Sequence, residues 1–236
     1  MAFKYSPSII TNGLVLYLDA GNQLSYPGSG TTWTDLSRSQ TNGTLVNSPA
    51  FSNGYFSFDG TDDQVNVSTT TPSYFQGNPS FTVQGWFRRN GTISQRSTWG
   101  FGGDVSSQGF TSWCYNNTNE ISIDLWNIST YSTGQQYSLT DWKHCVWTYN
   151  GTSFTTSNII IYVNGVAYTG ANLSVLRGGS GTPNINNNGI VIGKSSIAES
   201  AWGSPQVATF SMYNRVLSAT EVLQNYNATK TRFGLT

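Results

Sequence analysis

Trp33-Thr34-Asp35-Leu36-Ser37, followed by Asn42-Gly43-Thr44-Leu45 and then by Phe58-Asp59-Gly60-Thr61-Asp62-Asp63-Gln64-Val65, is the stretch that decides the fold. It is a string of strand ends and tight turns in fixed order. Glycine and Asn-Gly supply the positive φ that tight turns need, and Asp and Ser hydrogen-bond their own backbone. Period-two alternation continues outward from it. Phe56 and Phe58 alternate with Tyr55 and Ser57, and Phe81, Val83 and Phe87 alternate with Thr82, Gln84 and Arg88. Ile121, Ile123 and Leu125 alternate with Ser122, Asp124 and Trp126. Ile159, Ile161 and Val163 alternate with Ile160, Tyr162 and Asn164, ahead of an Asn164-Gly165 turn. Ile190 and Ile192 lead to Gly193, and Val207 through Tyr213 reads as a last long strand. Short strands with turn signals between them predict an all-β sandwich.

One helix is predicted, over about 218–232. Ser218-Ala219-Thr220-Glu221 is a capping-box pattern, in which Ser218 caps the first amides and Glu221 reaches back. Val222, Leu223 and Tyr226 share one helical face and Gly234 is a stop. So short a helix is marginal alone and is expected to pack on the sandwich. No linker, repeat or charge run divides the chain, so residues 1–236 read as one domain, with Arg177–Asn188 as one long surface loop.

Charged residues are 9% of the 236, against about 25% in an ordinary globular protein. Lys plus Arg equals Asp plus Glu at 11 each, which leaves no net field for nucleic acid or an anionic membrane. The surface is expected to carry Ser, Thr, Asn, Gln and Tyr instead, which suits a partner read by hydrogen bonds and stacking. Met1 to Pro7 contains no apolar signal-peptide core, so synthesis in the cytosol of the producing cell is expected. No apolar run approaches the roughly 18–20 residues that span a bilayer. Two cysteines, Cys114 and Cys145, make neither a disulfide framework nor a zinc site. Cys145, in a strand-like run, is expected to be a buried thiol, and pairing with Cys114 stays open.

The ordered motifs resemble the laminin-G-like branch of the concanavalin A-like jelly rolls. Leu14-Val15-Leu16-Tyr17-Leu18-Asp19 is similar to the family's first strand, and Ser80-Phe81-Thr82-Val83 with Trp86 to a later one. Trp142, His144 and Tyr149-Asn150-Gly151 resemble its W-x-H … Y-x-G strand and turn. Ile161-Tyr162-Val163-Asn164-Gly165 resembles its YVNG hairpin, and Ile190-Val191-Ile192-Gly193 its I-x-I-G strand. Phe210 to Ser218 resembles its closing YNR-x-LS motif before the helix. The resemblance implies a jelly-roll sandwich of two antiparallel sheets that recognises glycans or proteins more often than it catalyses. Phe3-Lys4-Tyr5-Ser6-Pro7 and Gln224 to Lys230 look most like stand-alone laminin-G-like proteins of tailed phages of aquatic bacteria, which implies a virion surface component. Many relatives place an acid in the final strand to hold calcium near the first-strand Asp. Here that stretch is Val207-Ala208-Thr209-Phe210, so no metal site and no cofactor is expected, with calcium the one ion the resemblance allows. The Asp59, Asp62, Asp63 cluster reads as turn chemistry.

The related glucanases carry an E-x-D-x-E strand. The near match here is Glu120-Ile121-Ser122-Ile123-Asp124, with Ser122 in place of the middle acid. Retaining and inverting pairs need carboxyls about 5–5.5 Å and about 6.5–9.5 Å apart. Residues four apart on a strand have Cα atoms about 13 Å apart, so catalysis is not expected. His144 is the single histidine, and no nucleophile elbow accompanies it. For sugar binding, Trp126 is expected to share a strand face with Glu120, Ser122 and Asp124, an aromatic plane beside hydroxyl acceptors. Trp99, Trp113 and Trp202, in Gly- and Ser-rich segments, are the aromatics expected at interfaces. The sequence therefore points to a non-enzymatic surface module of a phage virion, a capsid decoration or an appendage. Its expected partners are other virion proteins or copies of itself, with host surface glycan as a further partner. A free carbohydrate-binding lectin and a glucanase-branch glycoside hydrolase are the alternatives.

Overall fold

The computed structural model describes residues 8–89, 96–114, 119–138, 140–195 and 204–236. Two antiparallel sheets pack face to face. The first holds eight strands. In spatial order these are β14 (Val166–Thr169), β13 (Ile159–Val163), β12 (Lys143–Asn150), β7 (Ser80–Arg89), β17 (Pro205–Tyr213), β5 (Tyr55–Ser57) and β4 (Ala50–Ser52), with β1 (Leu14–Asp19) also paired to β17. The second holds nine. These are β15 (Ser174–Arg177), β11 (Ser129–Ser132), β10 (Ile121–Leu125), β9 (Gly109–Cys114), β8 (Arg96–Gly102), β16 (Ile190–Ile192), β6 (Gln64–Ser68), β3 (Gly43–Val46) and β2 (Thr32–Trp33).

The alternation read from the sequence becomes the core. Phe81, Val83, Phe87, Trp147, Tyr149, Ile159, Ile161, Phe210 and Met212 face inward from the first sheet. Val65, Trp99, Phe101, Phe110, Ile123, Leu125 and Ile192 meet them from the second. Aromatic edges lock the layers, with Phe81 and Phe101 at 5.2 Å and 88°. The β13–β14 hairpin turns on Asn164 and Gly165 at φ 51° and 82°, the two left-handed positions a two-residue hairpin requires. Cys145 is buried in the same core. The Arg177–Asn188 stretch is not wholly a surface loop. Ile185 pairs with Gly77 through a β-bridge and is 3% exposed, because the gap between the sheets at that end needs an apolar plug.

Helix α1 spans Ala219–Thr229, with a 3-10 turn over Lys230–Phe233, and the capping box forms. Ser218 Oγ accepts from Glu221 N, and Glu221 accepts from Ser218 N at 2.8 Å. Arg215 adds a bidentate pair to the Glu221 carboxylate at 2.6 and 2.9 Å, which holds that acid down at about 2. Gly234 at φ +75° ends the segment.

The helix covers the outer face of the first sheet, which is polar. Asn225 Nδ2 donates to Gln84 Oε1 at 3.1 Å and to the Tyr213 hydroxyl at 3.2 Å, and the Tyr213 hydroxyl donates to Ile10 O at 2.9 Å. Trp86 Nε1 donates to Thr229 Oγ1 at 2.8 Å. His144 is buried between the Trp86 ring at 5.3 Å and the Tyr226 ring at 5.9 Å, and burial pushes its imidazole down to about 3.

A neutral His144 has a consequence for acid stability. The unfolded chain takes up a proton near the ordinary pKa of about 6.5 and the folded chain does not. Stability is therefore full above that pH and declines as pH falls from about 6.5 toward 3. We predict that His144 steepens the decline by up to about 1.4 kcal/mol per pH unit. Chemical denaturation of wild type and His144→Gln across that window measures it, with the variant showing the shallower slope.

Candidate ligand-binding cleft

Of the residues expected to bind sugar, Glu120 and Asp124 are each engaged by other side chains. Trp126 stands one residue past the end of β10, with its amide still bonded to Gly109 O at 3.0 Å ahead of the turn at Asn127, φ 58°. Its indole N–H donates to Asp104 O at 2.9 Å. Asp124 sits opposite Thr111 and Thr130 in the sheet and is 2% exposed. Thr130 donates to Asp124 Oδ1, and Arg177 Nη2 pairs with the same oxygen at 2.7 Å. Burial pushes the Asp124 carboxyl up, against the downward pull of Thr130 and Arg177. Glu120 accepts from the Ser132 hydroxyl instead. Ser122, Thr111 and Ser132 beside them are fully buried, so this face is a packed hydroxyl layer.

Of the expected interface aromatics, Trp99 alone has a described side chain. Trp99 is a core residue, fully buried edge-on to Trp147 at 5.3 Å, because its Gly-rich segment is β8 rather than a loop. Trp113 lies in β9 with its side chain outside the described residues, and Trp202 lies outside them altogether. The exposed large apolar side chains are mostly aliphatic, such as Leu24 at 80% and Val166 at 57%.

A cleft of about 280 Å³ opens instead at the end of the C-terminal segment, on the outer edge of the first sheet. Arg88 is the penultimate residue of β7, opposite Gln206 of β17, and its Nε donates to Gln206 Oε1. Gln206 Nε2 is in turn fixed on Ser57 Oγ at 2.8 Å. The guanidinium carbon lies 4.9 Å from the Tyr55 ring centroid and 4.8 Å from that of Trp142. Tyr55 opens β5, and Trp142 immediately precedes β12. Phe233 completes the wall, 5.2 Å from Trp142 and stacked on Trp86 at 4.0 Å.

Arg232 forms the neighbouring edge. Its Nη1 pairs with Asp19 Oδ1 at 2.6 Å and its Nη2 donates to Gly54 O at 2.8 Å. Gly21 and Gly54 leave the channel for this side chain. A Cβ on Gly21 would stand 2.2 Å from Arg232 Nη2, and one on Gly54 would stand 2.9 Å from Gly21 Cα.

The same ion pair bears on calcium. Asp19 Oδ1 also accepts from Gly21 N at 2.9 Å, and Oδ2 accepts from the Tyr17 hydroxyl at 3.2 Å. The residue facing Asp19 across the sheet is Thr209. Calcium needs six to eight oxygens at about 2.3–2.6 Å, and a guanidinium already lies on this carboxylate, so the residues do not fit the ion. The Asp59, Asp62 and Asp63 oxygens lie within 4.8 Å of one another. Asp59 Oδ1 accepts from the Thr61, Asp62 and Asp63 amides at 2.8, 3.3 and 3.4 Å, and Asp63 Oδ2 accepts from Asp59 N at 3.1 Å. These carboxylates tie a turn.

With the geometry in hand, the comparisons place the chain. The family model for the concanavalin A-like lectin/glucanases superfamily (Laminin_G_3) matches residues 59–223, and the chain belongs to that family. No curated protein matches it in sequence. Among solved structures it is similar to the Trypanosoma rangeli sialidase in complex with sialic acid, at 18% identity and TM-score 0.65, over 94% of this chain and 34% of that one. It is also similar to an HCR/D mutant at 13% identity and TM-score 0.63, over 93% of this chain and 53% of that one. The binding domain of Botulinum neurotoxin DC in complex with rat synaptotagmin II matches at 15% and TM-score 0.55, over 93% and 52%. The chain thus spans about a third of the sialidase and about half of the other two, and these likenesses establish the fold.

We predict that the melting temperature is the same in EDTA and in millimolar calcium, and that Arg232→Ala lowers stability by about 1 kcal/mol in both. A calcium-dependent rise of several degrees in the wild type would mean that Asp19 or the Asp59–Asp63 turn holds the ion.

Proposed function

We propose that the chain is a non-enzymatic recognition module that binds glycan through the Tyr55–Arg88–Trp142–Phe233 cleft and is displayed on a phage particle. One observation carries the binding reading. Aromatic rings and hydrogen-bond donors converge on an open concavity, and a saccharide needs such an arrangement: apolar C–H faces against rings, hydroxyls on fixed polar groups. Membership of a lectin and glucanase family supports it. So does the toxin neighbour, itself a binding domain. The separate partners of Glu120 and Asp124 favour binding over hydrolysis, since glycosidases use two carboxylates aimed at one bond. The virion placement rests on the likeness of Gln224 to Lys230 to phage laminin-G-like proteins. The other stretch that carries this likeness, Phe3 to Pro7, lies outside the described residues. A surface with few charges suits docking on virion proteins or on further copies.

Binding to bacterial envelope oligosaccharides tests the first part. Trp142→Ala is expected to weaken it about tenfold, about 1.4 kcal/mol, without loss of fold. No new reducing ends should form from β-glucans, galactans or envelope polysaccharide. Release that disappears in Glu120→Gln would replace this reading with a glycosidase. Co-purification with washed particles tests the second part, and absence from them would favour a free lectin.

A further inference from the structure

We infer that the cleft selects a carboxylate-bearing saccharide, with the acid group on Arg88; this rests on the glycan-binding reading above. Arg88 takes part in no ion pair among the described residues. Only its Nε is engaged, by the neutral amide of Gln206, and its two terminal nitrogens have no partner among the described residues. Those two nitrogens form a fork that binds a carboxylate end-on.

A surface arginine ordinarily moves freely, and ordering it opposes binding. Here the guanidinium rests on two adjoining rings, Tyr55 and Trp142, themselves 5.4 Å apart, and Gln206 fixes its inner edge, so the fork is held before any ligand arrives. The rings also keep water from the side they cover, which strengthens its pull on an anion without neutralising it.

The charge around the cleft agrees. Its lining carries two arginines and no acid. Arg232 is neutralised by Asp19, which leaves Arg88 as the uncompensated charge. In a chain with equal numbers of acidic and basic residues, that positive charge is local and attracts an acidic group to one place rather than to a whole face. The neutral edge of the cleft matches the rest of a sugar ring. Asn53 offers an amide to hydroxyls, and Trp142 and Phe233 offer apolar surface. A uronic acid, with its carboxylate on the same ring as its hydroxyls and C–H face, meets all of these at once.

Calorimetric titration of the full chain with a glucuronic acid-containing disaccharide, its methyl ester and its carboxyl-reduced neutral form tests this. The free acid should bind at least tenfold more tightly than either neutral form, and raising NaCl from 50 to 500 mM should erode that preference (~500 mM at the upper end). Arg88→Gln should level the three ligands, Arg88→Lys should restore only part of the preference, and Trp142→Ala should weaken all three and narrow the preference for the acid. Equal binding of acid, ester and neutral sugar by the wild type would overturn acid selection and leave the glycan reading standing. Failure of all three to bind would overturn both. The ester arm uses wild-type protein alone, so it decides the matter even if a variant misfolds.

Discussion

The packing of the C-terminal segment on Trp86 is the contact on which the candidate site depends. The outer face of the first sheet presents Gln84, Trp86, His144, Ser211 and Tyr213, a mixture too polar for a core and too aromatic for water. Helix α1 and the 3-10 turn after it resolve this by supplying Asn225 to the polar groups and Tyr226 and Phe233 to the rings. Buried polar groups without partners cost about 1–3 kcal/mol each, so the helix is held by its hydrogen bonds as much as by its apolar contacts. Its capping box and the Arg215–Glu221 pair fix where it starts, and the Arg232–Asp19 pair fixes where its trailing turn lands.

The cleft is the by-product of that landing. Phe233 caps Trp86 and in the same position walls Trp142, and the two glycines that admit Arg232 bring the β4–β5 turn, and with it Tyr55, beside Arg88. Fold integrity and site geometry thus share residues. The Arg232 pair also gives Asp19 the positive charge that a cation would otherwise provide, which connects the missing acid of the last strand to the form of the C-terminus.

The fold was legible because each signal was local. Alternation, the Asn164-Gly165 turn and the Ser218–Glu221 box each fall within a few residues, and the structure places all of them as read. The site was not. Trp126 lies one residue past β10 with its indole N–H taken up by Asp104 O, a tertiary contact that no periodicity records. Trp99 is expected at an interface from its Gly- and Ser-rich segment, yet that segment is strand β8 and the ring is buried. Arg88 alternates with Phe87 as the period of two predicts, but its partners Tyr55, Trp142 and Gln206 come from three distant segments. Only tertiary packing brings them together, and no spacing in the sequence records that.

The location of the bound ligand is the most direct test. Titrating isotopically labelled protein with the glucuronic acid-containing disaccharide, and following indole N–H and arginine side-chain resonances, reports it residue by residue. The account predicts that the Trp142 indole and the Arg88 guanidinium signals move together while Trp126 and the buried Trp99 stay fixed. Shifts centred on Trp126, with Arg88 unmoved, would contradict it.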